Sequence, residues 1–90
     1  MTNKRENTFN DVSMAFAALA YLLAEAVPGA KFSEEHTDNE NSRVFRLVLP
    51  KDAKLSDQSK ISLEKLIGTA SGTTQIAHDA ETEYVFFLEV

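Results

Sequence analysis

The chain contains no cysteine. Disulfides, thiolate metal sites and cysteine nucleophiles are therefore excluded, and the absence fits a reducing compartment, so a cytoplasmic location is expected. Lysine and arginine are missing from the last twenty residues. The formal net charge is −5, and the acidic excess sits in Glu34, Glu35, Asp38 and Glu40 and again in Asp79, Glu81, Glu83 and Glu89. Such a field repels phosphate backbones, so direct nucleic-acid binding is not expected.

Catalytic signatures are also missing. No serine stands in a Gly-x-Ser-x-Gly elbow. Ser71-Gly72-Thr73-Thr74 resembles a phosphate loop but lacks its lysine and its strand-before, helix-after setting. There is no His-x-x-x-His and no EF-hand loop. His36 and His78 each precede an acidic turn, and they would meet at one end of the sheet if the two hairpins lay side by side. Imidazole and carboxylate there could take a divalent ion, but the spacing repeats no known ligand pattern. The expectation is a non-enzymatic protein with no cofactor and no metal.

One long apolar run is present, and the rest of the chain is organised around it. Val12 to Ala24 carries no charge, within a stretch from Phe9 to Val27 closed by Pro28-Gly29. Its length suits a buried core helix better than the ~20 apolar residues of a membrane span. The polar start and the lack of a cleavage site speak against a secretory signal. Thr8 to Asp11 fits a capping box with Asp11 in place of the usual glutamate, which places residues 1–7 outside the fold as a disordered segment and residues 8–90 in one domain. Val27 before proline and Gly29 after it end the helix near Ala26. A spacing near 100° per residue puts Phe9, Val12, Phe16, Leu19, Leu23 and Val27 on the core stripe. The opposite side carries Ser13, Met14, Ala17, Ala18, Tyr21, Ala24 and Glu25. Met14, Ala17, Ala18 and Tyr21 make a second, shallow apolar surface suited to a partner.

Beyond the helix the pattern changes to strands. Ala30 to His36 is a short strand, and 37–42 is a turn cluster of Asp, Asn and Ser. Arg43 to Leu49 alternates, with Phe45, Leu47 and Leu49 on one face and Val44, Arg46 and Val48 on the other, and Pro50 ends it. Ser56 is the expected cap of a second helix whose face is Leu63, Leu66, Ile67 and Ala70, with Ile61 off that face and the helix ending at Gly68 or Gly72. Thr73 to His78 and Glu83 to Val90 complete the strands. The last has Tyr84, Phe86, Leu88 and Val90 on one face and Val85 and Phe87 on the other, as expected of a central strand.

Val44-Phe45-Arg46-Leu47 rhymes with Val85-Phe86-Phe87-Leu88. The expected fold is therefore α+β: two αββ units forming one four-stranded, mostly antiparallel sheet with two helices on one face. That layout leaves Val44, Arg46, Val48, Val85 and Phe87 on a bare sheet face. The function expected is a protein-interaction module of adaptor, chaperone-like or inhibitor type, associating with itself as a homodimer or with another protein. Two alternatives are an acidic inhibitor using Asp38, Glu40, Asp79 and Glu81 against the basic site of a nucleic-acid-processing complex, and a small-ligand sensing domain.

Overall fold

The computed structural model describes residues 4–37 and 41–89. Helix α1 (Lys4–Ala26) leads into a hairpin of β1 (Lys31–His36) and β2 (Ser42–Pro50). Helix α2 (Asp57–Thr69) leads into a second hairpin of β3 (Gly72–Ala77) and β4 (Glu81–Glu89). All strand pairs are antiparallel and the order across the sheet is β1-β2-β4-β3. The two αββ units thus meet at their longer strands, of nine residues each, and place their shorter strands, of six residues each, at the two edges. β4 is central, as its two apolar faces require.

The core lies between the helices and one face of the sheet. Phe45, Leu47, Leu49, Phe86 and Leu88 point into it from β2 and β4, and Leu66 enters from α2. Phe16 of α1 rests on the middle of the central strand pair. Its ring lies 4.9 Å from Phe45 and 5.3 Å from Phe86, the second edge-on, as aromatic quadrupoles prefer. Phe32 stacks on Phe45 and Tyr84 on Phe86, at 6.0 and 6.1 Å, so one aromatic row crosses from β1 to β4.

The buried stripe of α1 is Phe9, Ser13, Phe16, Ala20, Leu23 and Val27, rotated from the one that periodicity alone selects. Val12 and Leu19 flank it, and Ser13 is 1% exposed instead of lying on the outer side. Alternation of large and small residues explains the rotation. Ser13 and Ala20 let the helix sit close while Phe9, Phe16 and Leu23 fill the space between. The Ser13 hydroxyl has no hydrogen-bond partner, a cost of roughly 1–3 kcal/mol that the close packing must outweigh. α2 follows the same pattern: Ser59, Ser62 and Leu66 are buried, and Ile67 is exposed with Ile61 instead of sharing the core face.

Helix ends divide in the same way between expectation and correction. α1 begins at Lys4, so residues 4–7 are helical and Thr8 lies inside the helix and not at its cap. Lysine, arginine and glutamate extend a helix at little cost, which accounts for the extra turn. Its end at Ala26 is as expected, and Gly29 takes a φ of +84°. Ser56 caps α2 by accepting from the amide of Ser59. Gly68 does not stop α2: it is helical, and Ala70 forms the C-cap by donating its amide to Leu66.

These two glycines predict opposite responses in thermal unfolding. A Cβ at Gly68 meets nothing within 4 Å, so Gly68→Ala stabilises the domain by about 0.5–1 kcal/mol. A Cβ at Gly29 meets Pro50 Cγ at 3.1 Å on a left-handed backbone, so Gly29→Ala costs about 1 kcal/mol or more. Equal effects of the two substitutions would contradict this assignment.

Candidate functional site

The face of the sheet turned away from the helices follows from the strand registers. Glu35, Val44, Phe87 and Gly72 form one row across it; Ser33, Arg46, Val85 and Thr74 the next; Lys31, Val48, Glu83 and Ile76 the third. The alternation that drives Phe45, Leu47 and Phe86 inward forces these side chains outward. Among the described residues no element covers them. Phe87 is 37% exposed and Ile76 38% exposed, and Val44, Val48 and Val85 are half-buried by their neighbours.

Charge runs through the middle of this apolar surface. Arg46 stands opposite Val85 at the centre of the β2–β4 ladder. Its Nε donates to Glu35 Oε1 at 3.0 Å, and an Nη donates to Glu83 Oε2 at 3.1 Å. The other oxygen of Glu83 is 3.0 Å from His78 Nε2. Four residues from four segments thus form one chain: Glu35 on β1, Arg46 on β2, Glu83 on β4, and His78 after β3. The bonds to His78 and then to Arg46 hold the Glu83 carboxyl below its ordinary value of 4.5. The two carboxylates raise the Arg46 pKa further, through Glu35 first and Glu83 second. Exposed pairs of this kind contribute little to stability. Their stronger effect is geometric: Arg46 is stretched flat across the face, with Val44 and Val48 on either side of it along β2.

A second apolar surface lies on α1. Met14, at 69% exposure, Ala18, Tyr21 and Leu22, at 62%, are exposed, with Asp11 and Glu25 also exposed at its ends. The Glu25 carboxylate, one turn further along the helix, raises the Tyr21 pKa. Ala17 is partly buried against the core and does not belong to this stripe, and Leu22 takes its place. Leu22 was detectable as the residue four positions after Ala18, where one helical face recurs. An open groove of about 270 Å³ lies between the helices, lined by Val12, Ala15, Phe16 and Leu19 of α1 and Lys65, Leu66 and Thr69 of α2.

The two histidines do not meet. β2 and β4 are antiparallel neighbours, so Ser42 pairs with Glu89 at one end of the ladder and Pro50 with Glu81 at the other. Ser42 and Pro50 are the first and last of nine strand residues, so at ~3.3 Å per step those ends lie about 26 Å apart. His36, paired with Arg43, sits near the first end, while His78 and Asp79 sit at the second. The twofold relation between the αββ units requires this, because it turns one hairpin end-for-end relative to the other. His36 and His78 are therefore not brought together in one site. Asp38 and Glu40 lie outside the described residues. Among the described residues no group of three or more His, Asp or Glu side chains is placed to hold a metal ion, and no helix is long and apolar enough to cross a membrane.

Comparison with models of protein families, with curated proteins and with solved structures finds no match to this chain.

The lowered Glu83 pKa links the charge chain to pH. A carboxyl depressed in the folded state contributes stability that is present above its unfolded value near 4.5 and is lost as pH falls through the folded value. Melting temperature should therefore fall as pH drops below that unfolded value, and Glu83→Gln should flatten that slope. An unchanged slope in the variant would show that other carboxylates carry the acid sensitivity.

Proposed function

We propose that this chain is a non-enzymatic protein-interaction module that associates with a second copy of itself and offers the outer face of its sheet to a protein partner. The observation that carries this reading is the bare sheet face, with Phe87 and Ile76 exposed on either side of the Arg46–Glu83 pair. Apolar side chains around a small set of fixed charges match the make-up of protein-binding surfaces, where apolar contact supplies affinity and charge supplies register. The exposed α1 stripe is a second such surface on the opposite side of the domain. A chain that presents both serves as an adaptor, as a chaperone-like binder, or as an inhibitor that occupies another protein's surface.

The acidic-inhibitor reading has less support, because only Asp79 and Glu81 of its four residues lie among the described residues. The groove between α1 and α2 favours the small-ligand reading only in part. It has the apolar lining of a ligand site, but among the described residues Lys65 and Thr69 are its only polar ones, too few to fix a ligand's orientation.

Light scattering on the purified chain at low and high salt tests the self-association. The expected mass is twice the 10.0 kDa of one chain at both salts, since apolar and backbone contacts are little screened. A monomer at every concentration would refute that part of the proposal. Val48→Glu and Phe87→Glu test the face assignment. Both should fold with a stability change of about 1 kcal/mol or less. Unfolding of both would place those side chains in the core.

A further inference from the structure

The two edges of the sheet differ in a way that assigns them different roles. β1 carries Lys31, Glu34, Glu35 and His36 among its six residues, and charges of this kind guard an open edge against strand addition. β3 is Gly-Thr-Thr-Gln-Ile-Ala, with neither charge nor proline, and all six of its residues are exposed. Among the described residues neither face of this edge is covered.

Hydrogen bonding defines which groups the edge leaves free. The amide of His78 donates to the carbonyl of Glu81 at 2.8 Å, which makes that pair a closely bonded one. Alternation along an antiparallel ladder then turns the amides and carbonyls of Ile76 and Thr74 toward β4 and those of Thr73, Gln75 and Ala77 outward. The strand is pinned at its start, where the amide of Ser71 donates to Phe87 and the Ser71 hydroxyl both donates to the carbonyl and accepts from the amide of Glu89. Three outward donors and three outward acceptors are therefore held in strand geometry along an uncharged edge.

We propose that β3 is the seam through which two copies of this chain pair, antiparallel, into one continuous eight-stranded sheet. This rests on the self-association reading above and names its site. The register that matches outward groups to outward groups sets Gln75 against Gln75 of the second copy on the twofold axis, with Thr73 against Ala77 and Thr74 against Ile76 of the second copy. It is self-complementary at every position. Each Gln75 carboxamide has both a donor and an acceptor for its twin, threonine beside isoleucine suits a pleated surface, and no like charges face one another despite the net charge of −5. The seam also places Ile76 and Thr74 of both copies side by side, joining the two outer faces into one surface. A strand from a different protein would match the free backbone equally well but gains nothing from the Gln75 twofold.

Sedimentation velocity and amide hydrogen exchange on the full chain test the seam. Wild type should dimerise reversibly, with the Thr73, Gln75 and Ala77 amides slowed only at dimer concentrations, while those of Thr74 and Ile76 are slow throughout. Gln75→Lys sets two ammonium groups on the axis without altering the backbone, and should weaken dimerisation at least about tenfold with the melting temperature of the dilute protein unchanged. Gln75→Pro removes an amide that β4 does not use and should likewise leave a folded monomer. A Gln75→Lys chain that dimerises as tightly as wild type, or edge amides that exchange freely in the dimer, would overturn the seam and leave self-association standing. A wild type that stays monomeric would overturn both. Edge amides that become protected only when a foreign peptide is added would assign the edge to another protein's strand and overturn the second-copy proposal.

Discussion

The contact of Phe16 with Phe45 and Phe86 is the interaction on which the rest of the molecule depends. A two-layer domain of this size has little apolar surface to bury, and its core must be concentrated where the layers meet. Phe16 does this by bridging the two αββ units: Phe45 belongs to the first hairpin and Phe86 to the second. Once that ring lies over the centre of the β2–β4 ladder, α1 has a fixed position and the sheet has a sealed side. Arg43 completes the seal by laying its guanidinium 5.9 Å above the Phe9 ring while pairing with Glu34 at 3.0 Å.

Sealing one face opens the other. Strand residues alternate, so every large side chain that β2 and β4 send inward is matched by one sent outward, and a two-layer fold has nothing to place over it. The chain of Glu35, Arg46, Glu83 and His78 makes such a face compatible with water. It divides the valines and Phe87 into smaller apolar fields and holds its own long side chains down on the sheet. The polar members come from all four strands or their ends, so the network can form only when the whole sheet is paired. The exposed face is therefore ordered by the same register that builds the core.

Much of this was legible in the sequence because it depends on local pattern. The alternation in Arg43–Leu49 and in Tyr84–Leu88, the cap at Ser56 and the left-handed turn at Gly29 are decided by neighbouring residues, and all are found in place. Two kinds of feature were not legible. The rotation that buries Ser13 and Ala20 and exposes Leu22 depends on how closely α1 approaches its neighbours, and periodicity cannot separate adjacent stripes on a helix so rich in alanine. The distance between His36 and His78 depends on which strands become neighbours, a property of two distant segments. The bare sheet face was readable as a residue set, but the pairing of Arg46 with Glu35 and Glu83 required the register. The edge character of β3 likewise became visible only with the strand order.

The central claim is that the sheet has one sealed face and one open face, and solvent paramagnetic relaxation on the dilute, isotope-labelled chain tests it most directly. A soluble paramagnetic probe should strongly relax the methyls of Val44, Val48 and Val85, the Ile76 methyls and the Phe87 ring, and leave Leu47, Leu66 and Phe86 nearly untouched. Equal protection of both sets in the monomer would mean that the chain covers its own outer face, and would contradict the account.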